Sequence, residues 1–232
     1  MSEWLIDAEE LHTFYGSSHV LHGVSFRVKA GEAVGLMGRN GMGKTTLLKS
    51  ILGLVRPRTG AVKLKGRDVT SEPPHRIARS GIAYVPEGRG IFPNLSVREN
   101  LVMAARPGPW GINEILNIFP RLRERIGHGG GQLSGGEQQM LTIGRALMTN
   151  PQMLILDEAT EGLAPRIAQD IWRIVRRVRE SGIATVIVDK NFRAVSAIAD
   201  RNVILVKGRV VYEGPAADLL ARPQIRLAHL GV

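Results

Sequence analysis

Residues 38–46 read Gly38-Arg39-Asn40-Gly41-Met42-Gly43-Lys44-Thr45-Thr46, and the prediction of the fold starts from this segment. It matches the phosphate-loop pattern G-x-x-x-x-G-K-[ST] at every position. An apolar run at 33–37 precedes it and a helical pattern at 45–54 follows it, so the glycines can turn successive backbone N–H groups toward an anion. The whole stretch is therefore a candidate nucleotide site. Lys44 would serve the β- and γ-phosphates, and the Thr45 hydroxyl would ligate Mg²⁺.

The composition excludes several classes of protein. The 232 residues suffice for one sizeable α/β domain, 44% of them are hydrophobic, and none is cysteine. The absence of cysteine excludes disulfides and thiolate metal sites. No apolar run approaches the ~20 residues that span a bilayer. A role at a membrane would therefore require a membrane-embedded partner.

The net charge of +10 permits binding to nucleic acid or anionic lipid. The densest basic cluster, however, lies in a predicted helix at 165–181 whose apolar residues recur at helical spacing. That pattern favours the solvated face of an amphipathic helix. We therefore expect no nucleic-acid partner.

The pattern along the chain predicts an α/β fold of three parts within one domain, 1–232. Alternating apolar positions at 3–15 and 19–29 predict an N-terminal antiparallel β subdomain. Alternating strands and helices predict a mainly parallel core sheet, with the core spanning 1–86 and 150–232. The residues at about 95–149 have helical patterns and no strand pattern, so we expect them to form an inserted α-helical subdomain.

A second anion site is predicted at the start of a helix spanning 133–148. Ser134 and Glu137 fit the capping box S-x-x-E, which accounts for part of the pattern. It does not account for Gly135 and Gly136, since each glycine weakens a helix interior by ~1 kcal/mol relative to alanine. Unobstructed N–H groups at the positive end of a helix are what a phosphate needs for close approach.

Two acids follow the buried strand predicted at 153–156. Beside a phosphate loop, Asp157 is a candidate Mg²⁺ ligand. Glu158 is a candidate general base that polarises the attacking water. The alternative, a charged strand end entering a loop, is weaker because the other two motifs are present.

Together the phosphate loop, Leu133-Ser134-Gly135-Gly136-Glu137-Gln138-Gln139 and Met153-Leu154-Ile155-Leu156-Asp157-Glu158 resemble the nucleotide-binding subunit of an ATP-binding-cassette (ABC) transporter. The resemblance covers essentially the whole chain. The phrases Val85-Pro86-Glu87-Gly88-Arg89 and Glu161-Gly162-Leu163-Ala164-Pro165 resemble a narrower subgroup. That subgroup powers bacterial uptake of branched-chain amino acids, amides and urea.

The resemblance implies a P-loop NTPase core that binds ATP and Mg²⁺ and hydrolyses ATP at the interface of a head-to-tail dimer. Ser134, Gly135 and Gly136 would face the γ-phosphate held by a second ABC ATPase subunit, of the same or a related chain. Tyr15 would stack on adenine, although an aromatic in a strand is also commonly structural. The loop at Glu87 would sense nucleotide beside docked permease subunits, and a periplasmic solute-binding protein would take part indirectly. The implied location is peripheral, on the cytoplasmic face of the inner membrane.

Two positions depart from the superfamily pattern. Glu87 stands where glutamine is usual and would add a carboxylate near the metal. Lys190 follows the strand at 184–188 where histidine is usual, and it either contacts phosphate as a cation or points to solvent. The departure at Lys190 makes the rate of hydrolysis uncertain, so a subunit that binds ATP but hydrolyses it poorly is one alternative function. An ABC-type ATPase acting on nucleic acid or ribosomes is another.

Overall fold

Two β-sheets form the frame of the molecule in the computed structural model, which describes residues 3–231. The first sheet is antiparallel and is built mainly from a long N-terminal hairpin. Its strands run in the order β2-β1-β4-β5, where β1 is Trp4–Tyr15, β2 is Ser18–Lys29, β4 is Thr59–Leu64 and β5 is Arg67–Asp68.

The second sheet has the order β10-β9-β3-β8-β7-β6 and is parallel except for β10, which pairs antiparallel with β9. Strand β3 lies at its centre, between β8 and β9, so the loop that follows β3 emerges at the middle of the sheet edge. The strands are β3 (Ala33–Met37), β6 (Ile82–Val85), β7 (Met153–Asp157), β8 (Ala184–Val188), β9 (Arg201–Val206) and β10 (Arg209–Pro215).

Ten α-helices occur in the described residues, 3–231. Among them none is both long and apolar enough to cross a lipid bilayer. They are α1 (Lys44–Ile51), α2 (Pro74–Arg79), α3 (Val97–Val102), α4 (Ile112–Ile118), α5 (Pro120–Glu124), α6 (Gly135–Met148), α7 (Pro165–Glu180), α8 (Phe192–Ser196), α9 (Ala216–Ala221) and α10 (Pro223–His229).

The parallel sheet separates two hydrophobic cores, and the two-residue period of its strands supplies both. In β7, Met153 and Ile155 pack in the core shared with α1 and the antiparallel sheet. Leu154 and Leu156 point to the opposite face, in the core shared with α6 and α7. A strand buried on both faces reads as a continuous apolar run, as the sequence of β7 does.

The α/β class, the antiparallel N-terminal part and the mainly parallel sheet are confirmed. Helices α3 to α6 follow one another between β6 and β7, as the pattern at 95–149 indicates. The division into a core and an inserted subdomain stays a prediction. The boundaries of the helices differ by one to three residues, and a difference of three residues occurs at α1: the helix predicted at 45–54 ends at Ile51. Gly53 ends it early, since its φ is +69° and the helix cannot continue through a left-handed residue.

Asn100 of α3 fixes the loop that leads from β6 into the helical segment. Its side chain is fully buried and accepts from the Phe92 N–H at 2.9 Å. Its amide donates to the carbonyls of Phe92, Leu95 and Ser96 at 2.9, 3.1 and 3.0 Å. Asn100 thus forms four hydrogen bonds with the backbone of residues 92–96.

We expect Asn100→Ala to lower the free energy of unfolding by about 3 kcal/mol, because it leaves the Phe92 N–H without its protein partner and removes three further hydrogen bonds to backbone carbonyls. Urea denaturation of the purified protein measures this. Asn113→Ala is the control, since Asn113 is exposed on α4 and should change stability by less than about 0.5 kcal/mol. Equal effects of the two substitutions would contradict the structural role given to Asn100.

Candidate active site

The phosphate loop connects β3 to α1, and its glycines are required by geometry. Gly38 has φ +145°, and a Cβ on it would lie 2.3 Å from the Leu205 carbonyl oxygen. Gly43 caps α1 with φ +102°, a left-handed conformation that L side chains rarely adopt. The chain therefore turns tightly over the end of β3 and presents the start of α1 to the site, where free N–H groups favour an anion.

Lys44 lies inside this loop with its side chain only 8% exposed. Its ammonium donates to the carbonyl oxygens of Gly38 at 2.8 Å and Arg39 at 3.2 Å. The Glu158 carboxylate lies 3.8 Å away. Burial lowers the pKa of Lys44, and the charge of Glu158 opposes that shift. The cation is thus already positioned within the loop where a phosphate would bind.

Thr45 and Asp157 are brought together from positions far apart in the chain. The Thr45 hydroxyl donates to Asp157 Oδ1 at 3.4 Å, and Asp157 is 1% exposed. The Tyr84 hydroxyl donates to the other carboxylate oxygen at 2.9 Å, and burial together with the charge of Asp157 raises the pKa of Tyr84. A hydroxyl and a carboxylate suit Mg²⁺, which prefers oxygen ligands.

Sequence reasoning missed the role of Tyr84, which appeared only as part of an apolar strand. Strand β6 pairs with β7, and Tyr84 lies opposite Ile155, two residues before Asp157. A half-buried tyrosine needs a partner for its hydroxyl, and that requirement was the available signal.

Glu158 adopts a strained backbone conformation. Its φ is +52°, which is uncommon for a residue other than glycine, and its N–H donates to the Val188 carbonyl at 2.8 Å. Burial raises the pKa of the Glu158 carboxyl to about 7; a hydrogen bond with Glu161 acts in the same direction, and Lys44 opposes both. A carboxyl with such a pKa can take up a proton near neutral pH.

Glu87 lies with two other acids. Carboxylate oxygens of Glu87, Glu158 and Glu161 lie within 4.8 Å of one another. All three line a cleft of about 470 Å³ between the 87–93 loop, the start of α6 and the loop after β7. The predicted metal ligand Glu87 is thus grouped with Glu158 and Glu161, whereas Thr45 contacts Asp157.

Lys190 is half-exposed and forms an ion pair with Glu161. The hydrogen bond to Glu161 raises the pKa of Lys190, so its ammonium is charged at neutral pH. The sequence suggested that Lys190 either contacts phosphate or points into solvent. Neither expectation included Glu161 as its partner. The signal that was missed is the acid at 161, three residues after Glu158 in the adjoining loop.

Ser134 caps α6 with the predicted capping box. Its N–H donates to Glu137 Oε2 at 2.8 Å, and its hydroxyl accepts from the Glu137 N–H at 3.4 Å. The two glycines that follow also have packing roles within the chain. A Cβ on Gly135 would lie 2.8 Å from Arg89 Nη1, and one on Gly136 would lie 2.8 Å from Ile167 Cγ2. The helix start therefore combines close packing on its flanks with an exposed serine at its tip.

Tyr15 ends β1 at the hairpin turn and is 46% exposed. The neighbouring Phe14 is engaged on both faces of its ring. His19 stacks on it with centroids 4.0 Å apart, and the Arg58 guanidinium lies 3.7 Å from its centroid. Of these two adjacent aromatics, Tyr15 is the one whose ring can accept a further planar group.

Comparison with known proteins identifies the family. The profile described as "ABC transporter" matches residues 21–161. The high-affinity branched-chain amino acid transport ATP-binding protein BraG of Pseudomonas aeruginosa is 41% identical over 98% of this chain and 100% of its own length. The lipopolysaccharide export system ATP-binding protein LptB of Escherichia coli K12 is 34% identical, with 97% of both chains covered.

Solved structures agree with these relatives. A nucleotide-free ATP-binding cassette from an ABC transporter is similar with a TM-score of 0.81 and 27% identity, over 96% of this chain and 97% of the other. The ADP conformation of the cassette MJ1267 is similar with a TM-score of 0.79 and 26% identity, over 97% of each chain. This chain therefore belongs to the ABC transporter family of ATP-binding proteins, nucleotide-binding ATPases that power transport.

Proposed function

We propose that this chain is the ATPase subunit of an uptake transporter for branched-chain amino acids, amides or urea, with branched-chain amino acids the leading candidates. The observation that carries the choice of solute is the 41% identity to BraG over 232 residues. The LptB relatives, at 34–36% identity, make export the second candidate. The family assignment speaks against a role on nucleic acid or ribosomes. On this proposal the chain acts at the cytoplasmic face of the inner membrane beside permease subunits, and a periplasmic solute-binding protein takes part indirectly.

The proposed site for ATP is the loop at 38–46, with Tyr15 under the adenine and Lys44 on the β- and γ-phosphates. Thr45 and Asp157 would hold Mg²⁺, and Glu87 would reach the metal from the 87–93 loop. When bound, Mg²⁺ neutralises phosphate charge and orients the leaving group. Glu158 then orients the attacking water and takes its proton. The 3.8 Å separation between Lys44 and Glu158 supports this, since it puts the proposed base beside the proposed phosphate contact.

We further propose that hydrolysis requires two subunits. Ser134, Gly135 and Gly136 would bind the γ-phosphate held by the phosphate loop of a second ABC ATPase chain. Support comes from the exposed Ser134 at the start of a 14-residue helix, where N–H groups and the helix dipole favour an anion. The single unit would comprise a core at 1–86 and 150–232 and a helical insert at about 95–149, and closure of the dimer would complete both sites.

A groove between the proposed core and insert offers a docking surface for a permease helix. Its volume is about 300 Å³, and apolar side chains from α2, β6 and α6 line most of it. Leu54, which lines the groove, is 51% exposed, and Met103, which precedes the lining residue Ala104, is 50% exposed. An exposed apolar patch of this kind commonly marks a protein interface. A short amphipathic helix from the membrane subunit is the occupant we propose.

Glu158→Gln should lower kcat for ATP hydrolysis by at least about a hundredfold, because it removes the general base. ATP binding should persist, and an ATP-bound dimer should accumulate in size-exclusion chromatography. Glu180→Gln, at the exposed end of α7, should leave turnover unchanged. Unchanged turnover in Glu158→Gln would remove Glu158 from this role, and a wild-type chain without turnover would identify a binding-only subunit.

The raised pKa of Glu158 predicts an acid limb in the pH profile. The group must be ionised to accept a proton, so kcat/KM for ATP should rise with pH and level off above a pKa of about 7. At pH 6 it should be about tenfold below the plateau. Steady-state kinetics between pH 5.5 and 8.5, with circular dichroism to verify folding, measures this. A flat profile would contradict the assignment.

Deleting the gene for this chain in its source organism should abolish uptake of radiolabelled leucine. Expression of the wild-type chain in the deletion strain should restore that uptake. Leu54→Glu should fail to restore uptake, because a charge in the apolar groove opposes docking, while the ATPase rate of the purified variant stays normal. Leu227→Glu is the matched control, since Leu227 is 65% exposed on α10. If the deletion abolished uptake of acetamide or urea and left uptake of leucine unchanged, the proposed solute would be an amide or urea.

A further inference from the structure

A second cleft lies between α7 and the segment where α4 passes into α5. Its volume is about 540 Å³, and its described lining residues include none from the phosphate loop or from the cleft beside Glu158. One wall is a single face of α7, because residues 166, 170, 173 and 177 recur every three or four positions. Residues 117–121 form the opposite wall. Sites for small molecules commonly have volumes of ~300–1,000 Å³, so the cleft is large enough for one.

Four arginines line this cleft, and acidic partners compensate two of them. The four are Arg121 of α5 and Arg166, Arg173 and Arg177 of α7. Asp170 is the only acid among the described lining residues, and it pairs with Arg173 at 2.9 Å. Arg177 pairs with Glu114 of α4. The positive charge of the cleft therefore remains with the other two arginines.

Arg121 and Arg166 have no acidic partner in contact. Within residues 3–231, neither side chain forms an ion pair or a hydrogen bond. The charge of Glu137 reaches Arg121, but that carboxylate is hydrogen-bonded to Ser134 at 2.8 and 2.9 Å. Both arginines are exposed. Two free guanidinium groups thus stand on opposite walls of one cavity.

These two groups define the charge of a suitable ligand. Cations on facing walls of a concave site concentrate an anion there. A planar guanidinium group can donate to two phosphate oxygens at once. A phosphate monoester carries about −1.5 to −2 charges near neutral pH, together with three acceptor oxygens. It therefore matches both Arg121 and Arg166, whereas a single carboxylate would compensate only one of them.

Apolar side chains also line the cleft. Met140 of α6 and Ile174 of α7 are 3% and 7% exposed, and Ile118 of α4 is partly buried. An organic group that covers such side chains removes apolar surface from water, which inorganic phosphate cannot do. The lining therefore favours a ligand that joins a phosphate to an organic group.

From these charges and this lining we infer that the cleft binds a phosphate monoester of a small organic molecule, with Arg121 and Arg166 donating to the phosphate. The ligand would contact α5 and α7 together and so restrain one helix against the other. The site is separate from the phosphate loop, and the inference does not depend on the proposed function.

Isothermal titration calorimetry with phenyl phosphate tests this, since that probe joins a phosphate to an apolar ring. The wild-type chain should bind it, and Arg121→Gln and Arg166→Gln should each weaken binding at least about tenfold, because each removes charged hydrogen bonds. Arg176→Gln is the matched control, since Arg176 is exposed on α7 and lies outside the cleft. It should change the affinity less than about twofold in ~0.15 M salt.

Further titrations make the outcome specific. Benzoate, which replaces the phosphate by one carboxylate, and inorganic phosphate should both bind more weakly than phenyl phosphate. The affinity for phenyl phosphate should persist in Lys44→Ala, which lacks the cation of the phosphate loop. Circular dichroism verifies that each variant is folded.

Binding that is lost in Lys44→Ala and kept in the cleft variants would place the probe at the phosphate loop and overturn the inference. Equal losses in all three arginine variants would overturn it in favour of a general attraction to the basic surface. Benzoate binding as tight as that of phenyl phosphate, or no measurable binding of phenyl phosphate to the wild-type chain, would overturn it as well. None of these outcomes bears on ATP hydrolysis, so the proposed function is tested separately.

Discussion

Parallel pairing of β3, β8 and β7 is the constraint on which the site depends. In this pairing Val34 lies opposite Val186, and Asp157 lies opposite Val188, so the carboxyl ends of the three strands meet at one edge. The phosphate loop, the Asp157-Glu158 pair and the Lys190 loop each lie at the carboxyl end of one of these strands. A shift of one residue in this register would reverse the direction of every side chain in the shifted strand. The geometry of the candidate active site thus depends on the same apolar contacts that stabilise the sheet.

The sheet edge at the carboxyl ends of β3, β8 and β7 also requires that its acidic and basic side chains compensate one another. Lys44 and Lys190 flank acids that would otherwise repel one another, and Tyr84 donates to Asp157 from a neighbouring strand. Removing charged groups from water is unfavourable unless partners compensate them. The protein meets this requirement with its own side chains. A triphosphate bound here, as we propose, would therefore exchange partners within an existing network.

Much of this site could be predicted from the sequence because its main parts are local. The phosphate loop and the capping box of Ser134 depend on residues a few positions apart. The strand before Asp157 can be recognised from its continuous run of apolar residues. The partners of Asp157 and Lys190 could not be found in this way. Tyr84 reaches Asp157 across a strand pair, and Glu161 meets Lys190 across 28 intervening residues. Such contacts follow from tertiary packing, which local patterns do not encode.

The stacked arrangement of Arg58, Phe14 and His19 has a consequence for affinity. It ties the tip of the first hairpin to a residue that immediately precedes β4, and so restrains the backbone on which Tyr15 is carried. A side chain whose backbone is already restrained loses little conformational entropy when a planar ring stacks on it. If Tyr15 stacks on adenine, as we propose, the nucleobase would bind to a pre-ordered surface and contribute affinity at a low entropic cost.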